Sequence, residues 1–252
     1  MAAPPTYKIA GKYYPYLLEI RKRFLFVGSL FVIASIVGFA LYQKIITLIL
    51  NFFSLEGVNI VFTTPFQFFT LALDCGLVVG VVVVIPILIF QLLSFLKPAL
   101  QAKEYRIIVS ILPLALVLLG TGFVYGVIVM KLLMQIFYQT SLSLQIGNML
   151  DVENFLSKVL MTGLLMGIAF LFPIVMTVLM LLNLVKHSFF ERQRIYAYLI
   201  CVIFVLLLPP PDLISDIILF APLVILFELT LILNRIFLKT HLFRTGVGLD
   251  AK

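Results

Sequence analysis

The chain has 252 residues, 63% of them hydrophobic and 12% charged, with a formal net charge of +7 and a mean hydropathy of +1.21. Soluble domains run near half apolar and a quarter charged, so this composition excludes a soluble enzyme and requires lipid over much of the surface. Nucleic acid is not implied by the positive charge, because the basic residues sit in short clusters between apolar stretches rather than in a stripe or tail.

A helix needs about 20 mainly apolar residues to cross roughly 30 Å of hydrocarbon. In chain order the candidate spans are residues 24–42, 68–95, 107–130, 159–185, 195–208 and 213–233. They predict an all-α membrane protein with six transmembrane helices in one polytopic domain over residues 1–252. The apolar run after Arg23 is too long for a signal-peptide core, so it reads as a retained first helix. The loops at 51–67 and 131–157 are partly apolar and are expected to form short interfacial helices. The fifth span covers only about 21 Å at 1.5 Å per residue. The sixth carries Asp216, Pro222 and Glu228, and both are expected to be short and to thin the bilayer beside them. Between these two, Pro209, Pro210 and Pro211 followed by Asp212 make a rigid stop. Pro86, Pro113, Pro173 and Pro222 lie inside spans, where each removes a hydrogen bond and bends its helix.

Orientation follows from Lys and Arg. With a cytoplasmic N-terminus, that side holds the clusters around Arg21–Arg23, Lys97–Arg106, Lys186–Arg194 and Arg235–Lys252. Of 18 basic residues only Lys44, Lys131 and Lys158 fall on the other side. Six spans then put both termini in the cytoplasm of a bacterial inner (plasma) membrane.

The sequence contains no GxxxxGK[ST] loop, no HExxH and no nucleophile beside a base. Cys75 and Cys201 fall in separate spans, while His187 and His241 stand alone in basic segments, so no metal or cofactor is expected. The remaining leads are carboxylates. Glu19 lies among Arg21, Lys22 and Arg23 at the start of the first span, and Glu104 lies between Lys103 and Arg106 in the turn after the second. Taken alone, each reads first as a solvated charged flank. Asp74 and Glu228 lie inside spans, where an ionised carboxylate must be paired, protonated or wet.

Together these residues resemble the TatC family, a component of the twin-arginine protein translocase, across about residues 14 to 237. Tyr16-Leu17-Leu18-Glu19-Ile20-Arg21-Lys22-Arg23 resembles the family's His-Leu-x-Glu-Leu-Arg-x-Arg signature. Pro86 through Gln91, then Phe95-Leu96-Lys97-Pro98-Ala99-Leu100 and Glu104-Tyr105-Arg106, resembles its second-to-third-helix loop. Phe170-Leu171-Phe172-Pro173 resembles Phe-Glu-x-Pro, Leu208 through Asp212 resembles Thr-Pro-Pro-Asp, and Pro222 through Glu228 resembles the motif of helix six. Tyr16, Pro209, Gln67 and Leu171 depart from the pattern, and Leu171 stands where the family has an intramembrane Glu.

The resemblance implies a concave, glove-like arrangement and a receptor for folded precursors with consecutive arginines in their signal peptides. By that analogy Glu19 and Glu104 accept the arginines, Arg21 and Arg106 hold them, and Phe95 and Pro98 support the loop. Asp212 orders the external turn. Glu228 or a partner's polar residue is left to compensate for Leu171. The implied partners are single-pass proteins of the TatA and TatB type, the precursors, lipid and further copies of the chain, with the proton motive force driving transport. A secondary transporter using Asp74 and Glu228 remains as an alternative. It lacks an inverted repeat. An intramembrane enzyme is a third reading, and it lacks a catalytic constellation.

Overall fold

The computed structural model describes residues 6–53, 59–61, 64–96, 102–143, 149–181, 185, 187–209 and 212–245. The first helix, α1 (Thr6–Ala40), runs straight through the basic cluster into the first apolar segment. It turns at Leu41 into α2 (Tyr42–Phe53), an amphipathic helix that buries Ile49 and Phe53 and exposes Gln43, Lys44, Thr47 and Asn51. Strand β1 (Asn59–Val61) precedes α3 (Gln67–Leu96), and α4 (Ala102–Ser143) returns. Strand β2 (Met149–Asp151) pairs in parallel with β1, Ile60 opposite Leu150. The chain continues through α5 (Val152–Ala169), α6 (Phe172–Leu181), α7 (His187–Arg192), α8 (Arg194–Leu206) and α9 (Leu213–Thr245).

Five helical stretches are long and apolar enough to cross a membrane: Leu18–Ala40, Gln67–Ser94, Val109–Ser141, Val152–Leu181 and Leu213–Arg235. Arg194–Leu206 is apolar but shorter. Six spans are thus present near their expected places, with three differences. The short helix expected within the loop at 51–67 lies earlier, at α2, because its apolar face is continuous with the end of the first span. No separate helix forms over 131–143, since α4 continues unbroken to Ser143. The fourth span starts at Val152 and breaks at Phe170 and Leu171, where Pro173 cannot supply an amide to Ala169. By contrast α3, α4 and α9 carry Pro86, Pro113 and Pro222 without interruption.

The α5–α6 span is the most buried of the five. One face of α5 is buried from Val152 to Gly167, and α1 lies along α3 while α4 lies along α5. Backbone contact makes these pairs close. A Cβ added at Gly126 would stand 2.8 Å from Gly163 Cα, and one at Gly76 would stand 2.8 Å from the Ser35 carbonyl oxygen. Without a hydrophobic drive between helices in lipid, such close approach supplies the dispersion contact that holds them.

The end of the molecule carrying α2, β1 and β2 is tied together by polar groups. Lys131 Nζ donates to the Phe52 carbonyl at 2.5 Å and lies 4.4 Å from the Phe52 ring centre. Gln67 Nε2 donates to Asp151 Oδ2 at 2.8 Å, while Asp151 Oδ1 caps α5 by accepting from Asn154 N at 3.1 Å.

The α8–α9 hairpin reaches less far toward this end. Its Pro209 carbonyl accepts from Thr162 Oγ1 at 2.5 Å. Thr162 lies ten residues into α5 from Val152, which at 1.5 Å per residue is about 15 Å along that helix. Helix α8 has 13 residues and measures about 20 Å. The apolar part of α9 has 23 residues, as many as the first span, so the sixth span is not short as expected and only the fifth is; α9 itself continues to Thr245.

Candidate functional site

Glu19 and Arg23 lie one turn apart on α1, where an i, i+4 pair shares a face. Arg23 Nη2 and Nε donate to Glu19 Oε1 at 2.7 and 3.2 Å. Its Nη1 donates to both the carbonyl and the Oε1 of Gln91, each at 2.9 Å. One guanidinium therefore joins α1 to the last turns of α3. Half of the Glu19 side chain stays exposed, against a quarter of Arg23. An exposed pair contributes about 0–1 kcal/mol, so its main effect is to fix where the carboxylate points. Glu19 Oε2 has no partner among the described residues.

This corrects one sequence expectation. The side chain holding Glu19 is Arg23, not Arg21, since residues two apart point to different faces of a helix. Arg21 is exposed and makes no side-chain hydrogen bond or ion pair among the described residues. Arg106 is likewise exposed on α4, and its carbonyl accepts from Ser110 Oγ at 2.9 Å. Once α1 is known to be helical through residue 19, the Glu19–Arg23 spacing is a readable signal. Gln91 carried none by itself.

Glu104 is the third residue of α4, in the first turn after the connection from Leu96 at the end of α3. A carboxylate in a helix's first turn is favoured by the helix dipole. The Glu104 side chain lies outside the described residues, as do Pro98 and the side chain of Phe95.

The intramembrane carboxylates are both engaged. Ser157 Oγ donates to Asp74 Oδ2, linking α5 to α3. Tyr198 OH donates to Glu228 Oε1, and Arg194 Nη1 lies 3.3 Å from Glu228 Oε2, so α8 holds the α9 carboxylate from two successive turns. These partners tie Glu228 to α8. Leu171 is buried in a separate apolar cluster with Ala115, Leu119 and Ile174. Asp212 caps α9, accepting from Ser215 N at 2.9 Å and from Ser215 Oγ at 2.5 Å. Among the described residues no group of three or more His, Cys, Asp or Glu is placed to hold a metal.

A family model described as Sec-independent protein translocase protein (TatC) matches residues 15–222. Among curated relatives, the chain is 26% identical to the Sec-independent protein translocase protein TatCy of Bacillus subtilis, over 87% of each chain. It is 32% identical to the TatC of Desulforapulum autotrophicum, covering 89% of this chain and 84% of that one. A crystal structure described as the twin arginine translocase receptor TatC in DDM superposes with a TM-score of 0.75 at 25% identity, covering 86% of this chain and 98% of the other.

Proposed function

The chain belongs to the TatC family of Sec-independent protein translocase proteins, and from that premise we propose that it is the receptor and scaffold subunit of a twin-arginine export system. Glu19 and Glu104 accept the paired arginines of a precursor's signal peptide. The carrying observation is the Glu19 carboxylate: Oε1 is occupied by Arg23 while Oε2 has no partner among the described residues, on a half-exposed side chain. A guanidinium fork engages such an acceptor directionally, whereas an ammonium offers a point charge. Tethering through Arg23 to Gln91 restricts the carboxylate before the signal arrives, which lowers the ordering cost of binding.

The protein works as a binding scaffold rather than an enzyme. TatA-type and TatB-type single-pass proteins dock beside α8 and α9, several copies assemble in the receptor complex, and the proton motive force drives transport. Both termini face the cytoplasm of the inner membrane. The transporter reading is weaker, because Asp74 and Glu228, the carboxylates it requires, are occupied by Ser157 and by Arg194 with Tyr198.

The test replaces Glu19 and Glu104 by Gln, singly and together, and follows export of a folded reporter with a twin-arginine signal. A hydrogen bond to a charged group contributes about 1.5–3 kcal/mol, so each change slows export about tenfold to a hundredfold. Wild-type export by the double variant would remove these residues from recognition.

A further inference from the structure

Pro222 lies inside α9 and has no amide hydrogen, so the carbonyl four residues earlier, that of Ile218, loses its helical donor. In hydrocarbon no water replaces it, and an unsatisfied carbonyl is costly. Tyr125, on α4, points its hydroxyl at this atom: Tyr125 OH donates to Ile218 O at 2.7 Å. Val82 and Val109 are the corresponding carbonyls for Pro86 and Pro113, and among the described residues neither receives a side-chain donor. The pairing at Pro222 is therefore specific.

The same ring packs on the second proline break. Tyr125 and Phe170 have ring centroids 5.9 Å apart, and Phe170 is the residue at which α5 ends ahead of Pro173. One tyrosine thus touches both the interruption of the fourth span and the orphaned carbonyl of the sixth. We propose that Tyr125 is a positioning residue that replaces the amide Pro222 lacks, fixes the bend of α9, and so sets how the α8–α9 hairpin docks on α4 and α5. Thr162, bonded to Pro209 O at the hairpin tip, anchors the far side of the same unit. Two hydroxyls on neighbouring helices thus hold two backbone carbonyls of the hairpin, of which that of Ile218 lacks its helical donor because of a proline.

The test is a cycle in the full-length protein: Tyr125→Phe, Pro222→Ala and the double variant. Phe keeps the ring against Phe170 and removes only the hydroxyl. Two readouts are taken, the thermal midpoint in detergent and the export rate of a folded reporter. The midpoint is independent of the proposed receptor function, whereas the export readout rests on it. With Pro222 present, Y125F lowers the midpoint by about 2–4 °C and slows export severalfold. In the P222A background the new backbone amide donates to Ile218 O, and the same change has little effect on either readout. Pro222→Leu serves the comparison should P222A fail to accumulate. Equal losses from Y125F in both backgrounds, or no loss with Pro222 present, overturn the assignment. Coupling in the midpoint without any twin-arginine export by the unmodified chain would leave Tyr125 in place and sink the receptor reading instead.

Discussion

At Leu171 the chain has a leucine where the resemblance to its family led to an intramembrane Glu, and the surroundings explain why leucine is stable there. Ala115, Leu119 and Ile174 close around it with Val82, Ile85 and Ile89 at the margin, and none of these side chains donates a hydrogen bond. Reinstating the carboxylate by Leu171→Glu should therefore lower the thermal midpoint and the amount of folded protein, because a buried charge without a partner costs several kcal/mol. A variant that accumulates and melts like the wild type would show that water or another polar group reaches this position. Glu228 illustrates the opposite case. Its depth in a span invited a functional reading, yet Arg194 and Tyr198 on α8 account for the charge as a helix-to-helix tie.

At the scale of elements, the span-to-span contacts rest on small residues that the hydrophobic pattern does not distinguish. A Cβ at Gly126 would meet both the Gly163 backbone and the Thr162 carbonyl, at 2.8 and 2.9 Å. A Cβ at Gly120, on the same helix, would meet nothing within 4 Å. Gly126→Leu should push α4 from α5 and sharply reduce folded protein in a fluorescence-detected size-exclusion profile. Gly120→Ala should leave the profile unchanged, since alanine is the better helix former. Equal behaviour of the two variants would contradict the close α4–α5 approach. Four prolines within apolar stretches look alike in the sequence. Only the one at Pro173 ends a helix, and it does so beside a Phe170 ring already packed on Tyr125.

At the scale of the whole molecule, the basic clusters and the number of spans together predict an orientation that can be measured. Lys44 is exposed on α2, and Lys158 is exposed near the start of α5, so cysteines there should react with a membrane-impermeant maleimide in intact cells. Cysteines at Arg21 and Arg192, both exposed in the fold, should react only after the membrane is opened. Cys75 is buried and Cys201 partly so, and a cysteine-free parent removes their background. The reverse labelling pattern would invert the molecule and place Glu19 on the wrong side for a cytoplasmic precursor. The hairpin's depth belongs to this scale too. Its tip bonds to Thr162, about 15 Å along α5 from that helix's start, and thinning or tilting of the adjoining bilayer remains the expectation for that flank.

The sequence by itself determined the membrane class, the helical spans and the short fifth helix, because each is written in local hydropathy, and its motif order pointed to the family. Tertiary structure decided the rest. That Arg23 rather than Arg21 braces Glu19 depends on α1 running helical through Glu19 and meeting α3 at Gln91. That α5 lies at the centre depends on glycines whose use is visible only when a second backbone arrives. That the α8–α9 hairpin sits low depends on which carbonyl Thr162 and Tyr125 reach. Periodicity along one chain records which face of a helix is apolar, whereas the depth and neighbour of that face are set by contacts between residues far apart in sequence.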